Sequence, residues 1–124
     1  MSRARPEEAI HRAIVTYLRF VLPAGFVVHH ARNGGKSLAE NARAKAMGTV
    51  RGWPDLEIHG RDAEDRPRCW FLEVKAPKQY AEPHQRDVHD RLFDIGWSVA
   101  VVRSIDDVKL ALKAWNVPTK EVAQ

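Results

Sequence analysis

Gly52-Trp53-Pro54-Asp55-Leu56 and Phe71-Leu72-Glu73-Val74-Lys75 read as parts of two neighbouring strands, and the rest of the chain arranges itself around them. In a strand, residues two apart project to the same side. Glu73 and Lys75 therefore share one side, while Leu72 and Val74 point the other way, toward apolar packing. Taken alone, such a strand could equally be showing a polar edge to water. Asp55 changes the balance. It follows a proline that restricts how its strand begins, and in a hairpin it reaches the region of Glu73. Two carboxylates converging beside a lysine repel one another unless something positive lies between them. A hard divalent cation such as Mg²⁺ fills that place, binding through one or two carboxylates, waters and phosphate oxygens. It lowers the pKa of water and stabilises charge on an attacked phosphate, and a compact ammonium can orient that water.

Working outward, Pro6 opens a helix with Glu7 and Glu8 at the positive end of its dipole, and Pro23 to Gly25 ends it. Glu7 shares the inward stripe with Ile10, Ile14 and Val21, while Glu8 lies with Arg12 and Arg19 on the solvent side; either acid could also simply complement the dipole. Phe26 to His30 reads as a short strand, broken by Asn33-Gly34-Gly35, and Ser37 caps a short helix reaching about Met47. Asp55 to His59 is the next strand, Gly60 to Pro67 a charged connector, and Trp70 to Lys75 its hairpin partner. Pro83 opens a second long helix ended by Gly96. Gln85 lies on its inward stripe with Val88, Leu92 and Ile95, where a purely hydrogen-bonded structural role is also open to it. Trp97 to Arg103 is a buried strand, and Ser104 caps a last helix to about Trp115. The order α, β, (α), β, β, α, β, α predicts an α/β domain over 1–124, with a central mixed sheet of about four strands and helices on both faces.

The chain of 124 residues suffices for one core but not two and carries a single cysteine, Cys69, so neither a disulfide framework nor a cysteine zinc site is available. That favours an intracellular setting. No stretch is apolar enough to span a membrane, and the basic start lacks the apolar segment of a signal peptide. The net charge of +4 fits a polyanionic partner. Arg32, Lys36, Arg43, Lys45 and Arg51 fall in one Gly- and Ala-containing stretch, which suits phosphate contacts as well as a solvated loop. The six histidines form no convincing zinc pattern: His29 and His30 point oppositely on a strand, and His84 and His89 are poorly spaced on a helix. Trp70, Trp97 and Trp115 sit at core positions, which leaves Trp53 as the one tryptophan open to stacking on a base, with a purely structural role also open to it.

With these residues in place, the sequence resembles the VRR-Nuc branch of the PD-(D/E)xK nuclease superfamily. The similar features are the helix carrying Glu7, the Arg32-Asn33-Gly34 turn, Gly52-Trp53-Pro54-Asp55-Leu56, Leu72-Glu73-Val74-Lys75-Ala76-Pro77, Gln85-Arg86, and Val101-Val102-Arg103-Ser104, in the family's order. The resemblance implies a restriction-endonuclease-like fold and Mg²⁺- or Mn²⁺-dependent DNA hydrolysis leaving a 5′-phosphate and a 3′-hydroxyl. It makes Asp55, Glu73 and the main-chain carbonyl of Val74 metal ligands, and Lys75 the group that positions or activates water. Glu7 would act through the outer shell or a second metal, and Gln85 would orient Lys75 or the substrate. It further implies cleavage of branched DNA such as four-way (Holliday) junctions and a homodimer. With the basic stretch and the exposed positions around the site, DNA contacts are expected from Arg32, Asn33, Lys36, Arg43, Lys45, Arg51, Trp53, Lys78 and Arg86, and the location is expected to be cytoplasmic, in a bacterium or in the host cell if the source is viral. Two departures stand out. His11 occupies a position where the family often has glutamine, and Ala76 to His84 carries Tyr80 and Glu82 in place of a glycine-and-serine turn. A silent DNA-binding module on the same fold would be expected to have lost one of Asp55, Glu73 or Lys75, and all are present. A protein-interaction domain would leave the basic stretch and the inward Glu7 and Gln85 without a purpose.

Overall fold

The computed structural model describes residues 6–31 and 37–120. In chain order the elements are α1 (Pro6–Val21), β1 (Val27–His30), α2 (Leu38–Ala46), β2 (Leu56–Arg61), β3 (Pro67–Val74), α3 (Pro83–Asp94), β4 (Ser98–Val102) and α4 (Ile105–Ala114). The four strands form one sheet in the order β1-β2-β3-β4, with β1–β2 and β2–β3 antiparallel and β3–β4 parallel. The parallel step follows from connectivity, because α3 carries the chain back over the sheet between β3 and β4. The expected mixed α/β sheet with helices on both faces is thus the observed architecture.

Alternation along β3 sorts the two faces. Trp70, Leu72 and Val74 join Leu56, Ile58 and Val102 in the main core, under Ile14, Leu18 and Val21 of α1 and Val108 and Leu112 of α4. Cys69 and Phe71 face the other way and meet Val88 and Leu92 of α3, with Trp53, Trp97 and Val99 packed around them. Burial drives the Cys69 thiol up to about 12, so it is an inert packing group. A central strand buried on both faces can carry a polar residue only where a partner meets it, and that constraint applies to Glu73.

The β2–β3 hairpin is longer than the sequence implies. The strands extend through Arg61 and resume at Pro67, where a connector over Gly60–Pro67 and a start at Trp70 were expected. The five residues between them close because Asp62 Oδ1 accepts from the main-chain N–H groups of Glu64 (2.9 Å) and Arg66 (3.0 Å), which holds its carboxyl below the usual range. The charged composition of the connector hid this side-chain-closed turn. α4 is capped as expected, Ser104 Oγ accepting from Asp107 N at 3.1 Å.

Gly60 is required by packing. A Cβ there would lie 2.4 Å from the Phe26 ring, which itself stacks on Trp70 with centroids 6.3 Å apart. Gly60→Ala is expected to push that ring off Trp70 at a cost of about 1–3 kcal/mol, read as a lower urea midpoint at unchanged slope. A midpoint equal to wild type would show that Phe26 moves freely.

Candidate active site

Asp55 ends the loop leading into β2 and Glu73 lies near the end of β3. The pairing of Leu56 with Leu72 sets these two acids opposite one another when continued by one residue. Three main-chain bonds hold Asp55 in place. Its Oδ2 accepts from Val74 N at 2.7 Å, while its carbonyl accepts from Ala31 N (3.0 Å) and from His30 Nδ1 (2.9 Å). The preceding turn is fixed as well. Trp53 Nε1 donates to Glu57 Oε2 at 2.6 Å, and the indole meets Phe71 edge-on at 5.5 Å. Burial pushes the Glu57 carboxyl up, but hydrogen bonds from His59 and Trp53 outweigh it and hold the group below its ordinary value. With its N–H tied to Glu57 and its ring on Phe71, Trp53 serves here to support the Asp55 turn.

Glu73 is 1% exposed and Lys75 9%, and they are the buried charged side chains among the described residues. Asp55 and Glu73 are in hydrogen-bonding contact. Burial first, and then Glu73 beside it, push the Asp55 carboxyl up to about 7. Burial likewise raises Glu73, with the hydrogen bond from Asp55 and then Lys75 working against the shift and Glu7 adding to it. Two carboxyls this close cannot both ionise cheaply without a cation, so the pair holds a proton. Strongly perturbed acids of this kind cluster at functional sites.

The donor set fits a hard divalent cation: two converging carboxylates with a shared proton that a metal would replace. Among the described residues no group of three His, Cys, Asp or Glu side chains is placed to hold an ion. The remaining positions would fall to a main-chain carbonyl, that of Val74 by resemblance, and to water or phosphate oxygens, the usual state of affairs for Mg²⁺.

The surrounding residues arrange themselves unevenly. Glu7 is half-buried and its charge is felt at Glu73, whereas Glu8 is turned outward into an ion pair with Arg12 at 3.0 Å. Gln85 sits on α3 as the third residue of a capping box: its Oε1 accepts from Glu82 N at 2.8 Å. The α3 side chain that reaches the acids is His89, whose Nε2 lies 3.1 Å from Glu73 Oε1. His11 and His30 stand near Asp55 with their rings edge-on at 4.6 Å, and burial together with His30 lowers the His11 pKa. Weighing the histidines only as mutual metal partners missed this. The available signal was that His89 lies one turn beyond Gln85 on the same inward stripe.

Of the residues expected to meet DNA, Arg43 and Lys45 project from α2, none of whose residues is buried. Arg51, Lys78 and Arg86 are exposed as well. Arg32, Asn33 and Lys36 lie outside the described residues. The Ala76–His84 segment is tied down by Arg103, whose Nη2 donates to Gln79 O at 2.6 Å and whose guanidinium lies 5.2 Å from the Tyr80 ring centre. No helix among the described residues is long and apolar enough to cross a membrane.

No family model matches the sequence, and a search of the curated proteins gives no match. Among solved structures, the chain is similar to a VRR_NUC domain protein, with a TM-score of 0.68 and 23% identity over 91% of this chain and 89% of that one. The fold is therefore that of a VRR_NUC domain, of the restriction-endonuclease-like kind.

Proposed function

We propose that this chain is a VRR-Nuc nuclease domain that hydrolyses phosphodiester bonds in DNA with the help of Mg²⁺ or Mn²⁺. The observation that carries the reading is the half-buried Asp55 against the buried Glu73, beside the buried Lys75. A sheet interior does not keep two acids in contact and a lysine out of water for stability alone, since uncharged residues would pack there at less cost. The VRR_NUC fold, with nearly the whole of both chains aligned, supports the same conclusion.

Asp55 and Glu73, with the Val74 carbonyl, would hold the cation. When bound, it supplies charge stabilisation at the phosphate and a lowered pKa for water. Asp55 is aimed by the Val74 N–H, and Glu73 is held within the sheet. Lys75 places an ammonium beside them to orient the attacking water and to neutralise charge developing on the phosphate. Water attacks in line, leaving a 5′-phosphate and a 3′-hydroxyl. Glu7 acts from the helix side through the outer shell, and Gln85 holds the start of α3 beside the Asp55 turn. Arg32, Asn33, Lys36, Arg43, Lys45, Arg51, Trp53, Lys78 and Arg86 are the candidate DNA contacts, with Trp53 acting chiefly through the turn it supports.

The substrate we propose is branched DNA such as a four-way junction, cut by a homodimer in the cytoplasm, because two cuts on a two-fold junction call for two symmetric sites. The test is cleavage of labelled four-way-junction and matched linear duplex DNA in Mg²⁺, in Mn²⁺ and in EDTA. Metal-dependent nicking near the branch is expected, with the linear duplex cut poorly and nothing cut in EDTA. Binding of both DNAs with cleavage of neither would favour a silent DNA-binding module.

A further inference from the structure

α3 is rotated by its apolar stripe. Val88 and Leu92 are buried against Cys69 and Phe71, and this packing turns the intervening His89 toward the end of β3. The His89 side chain is 12% exposed, and its Nε2 meets Glu73 Oε1 at 3.1 Å. A carboxylate oxygen only accepts, so at this distance the ring meets it with an N–H on Nε2. Asp55 acts on Glu73 at the same time, and the two acids repel one another once both are ionised. A glutamate has the rotamer freedom to swing away from such a neighbour. An N–H fixed on a packed helix opposes that swing, while using only one of the two carboxylate oxygens.

We infer that His89 is a positioning residue for the metal centre: by holding Glu73 Oε1 from α3, it keeps the second oxygen presented beside Asp55 and thereby raises affinity for a divalent cation. The inference rests on the metal-dependent reading above. It gives α3 a hold on Glu73 that is separate from the orienting of Lys75 or the substrate that the resemblance implied for Gln85, whose Oε1 is engaged with Glu82 N. Hydrogen bonds to ligating groups are worth about 10–100-fold in metal affinity in characterised sites, and His89 is placed to supply one.

The test is titration of the whole chain with Mn²⁺ alone, without DNA, following free Mn²⁺ by electron paramagnetic resonance. Wild type, His89→Ala and His89→Gln are compared, and each is also melted in EDTA. His89→Ala is expected to weaken Mn²⁺ binding about 10–100-fold. His89→Gln is expected to restore most of it, because its amide N–H falls near the place of Nε2. A structural role would lower the melting temperature and leave the Mn²⁺ affinity of the folded protein unchanged, and that result overturns the inference. A Gln variant as weak as Ala overturns it too, since positioning needs only a donor at that point. Failure of wild type itself to bind Mn²⁺ would instead bring down the metal-dependent reading on which this rests.

Discussion

Asp55→Asn is expected to abolish cleavage, by about a thousandfold or more, while making the metal-free protein more stable at pH 8. The sign follows from the proton count. In the fold Asp55 keeps its proton up to about pH 7, whereas its ordinary value is 3.8. Between those values the folded state binds more protons than the unfolded one, so metal-free stability falls as pH rises and the loss is complete above about 7. The cost is of the order of a few kcal/mol at most. Asparagine carries no charge to desolvate, its carbonyl can still accept from Val74 N, and its amide can donate to Glu73. Lys75→Ala should lose activity comparably but move stability the other way, because Lys75, after the hydrogen bond from Asp55, opposes the upward shift of Glu73. Melts in EDTA across pH 5 to 8, beside cleavage assays in Mg²⁺, decide the matter. If Asp55→Asn melts below wild type at pH 8 and loses activity only in proportion, Asp55 is a structural residue.

Gly52→Ala should damage both fold and site. Gly52 has φ +90°, and a Cβ there would stand 2.7 Å from the main-chain oxygen of His84. Neither a left-handed alanine nor a backbone clash can be relieved by turning a side chain, so roughly 2–4 kcal/mol is expected. That corresponds to a fall in Tm on the order of 10 °C. Gly25→Ala isolates the conformational part, because Gly25 has φ +91° with nothing within 4 Å. Catalysis should suffer as well, since the chain leads directly from Gly52 to Asp55, and displacement of a reacting group by about 1 Å can cost on the order of a hundredfold. Equal losses for the two alanine variants would mean that the turn does not press on α3. A Gly52 variant that is destabilised yet fully active at low temperature would mean that Asp55 is held by the strand bonds alone.

Much of this molecule is written locally. Pro6 and Pro83 set helix starts, Ser37 and Ser104 are caps, and the two-residue period of β3 separates Leu72 and Val74 from Glu73 and Lys75, because each depends on a few neighbouring residues. Asp55 facing Glu73 was also within reach of the sequence, since a hairpin through Leu56 and Leu72 leaves little freedom of register. The hairpin's tighter turn was not, because it is closed by one side chain, Asp62, in a run of charges that resembles any exposed loop. Nor could the sequence choose between Gln85 and His89. Both lie on the inward stripe of α3, and only the seating of Val88 and Leu92 on Cys69 and Phe71 brings His89 to the acid while Gln85 turns back to cap the helix. The sequence by itself determined the elements, the faces of β3 and the three chemical groups, since those are matters of spacing along one chain. The tertiary structure alone decided how deeply Glu73 and Lys75 are buried and which helix side chain meets them, because both depend on how separate elements pack.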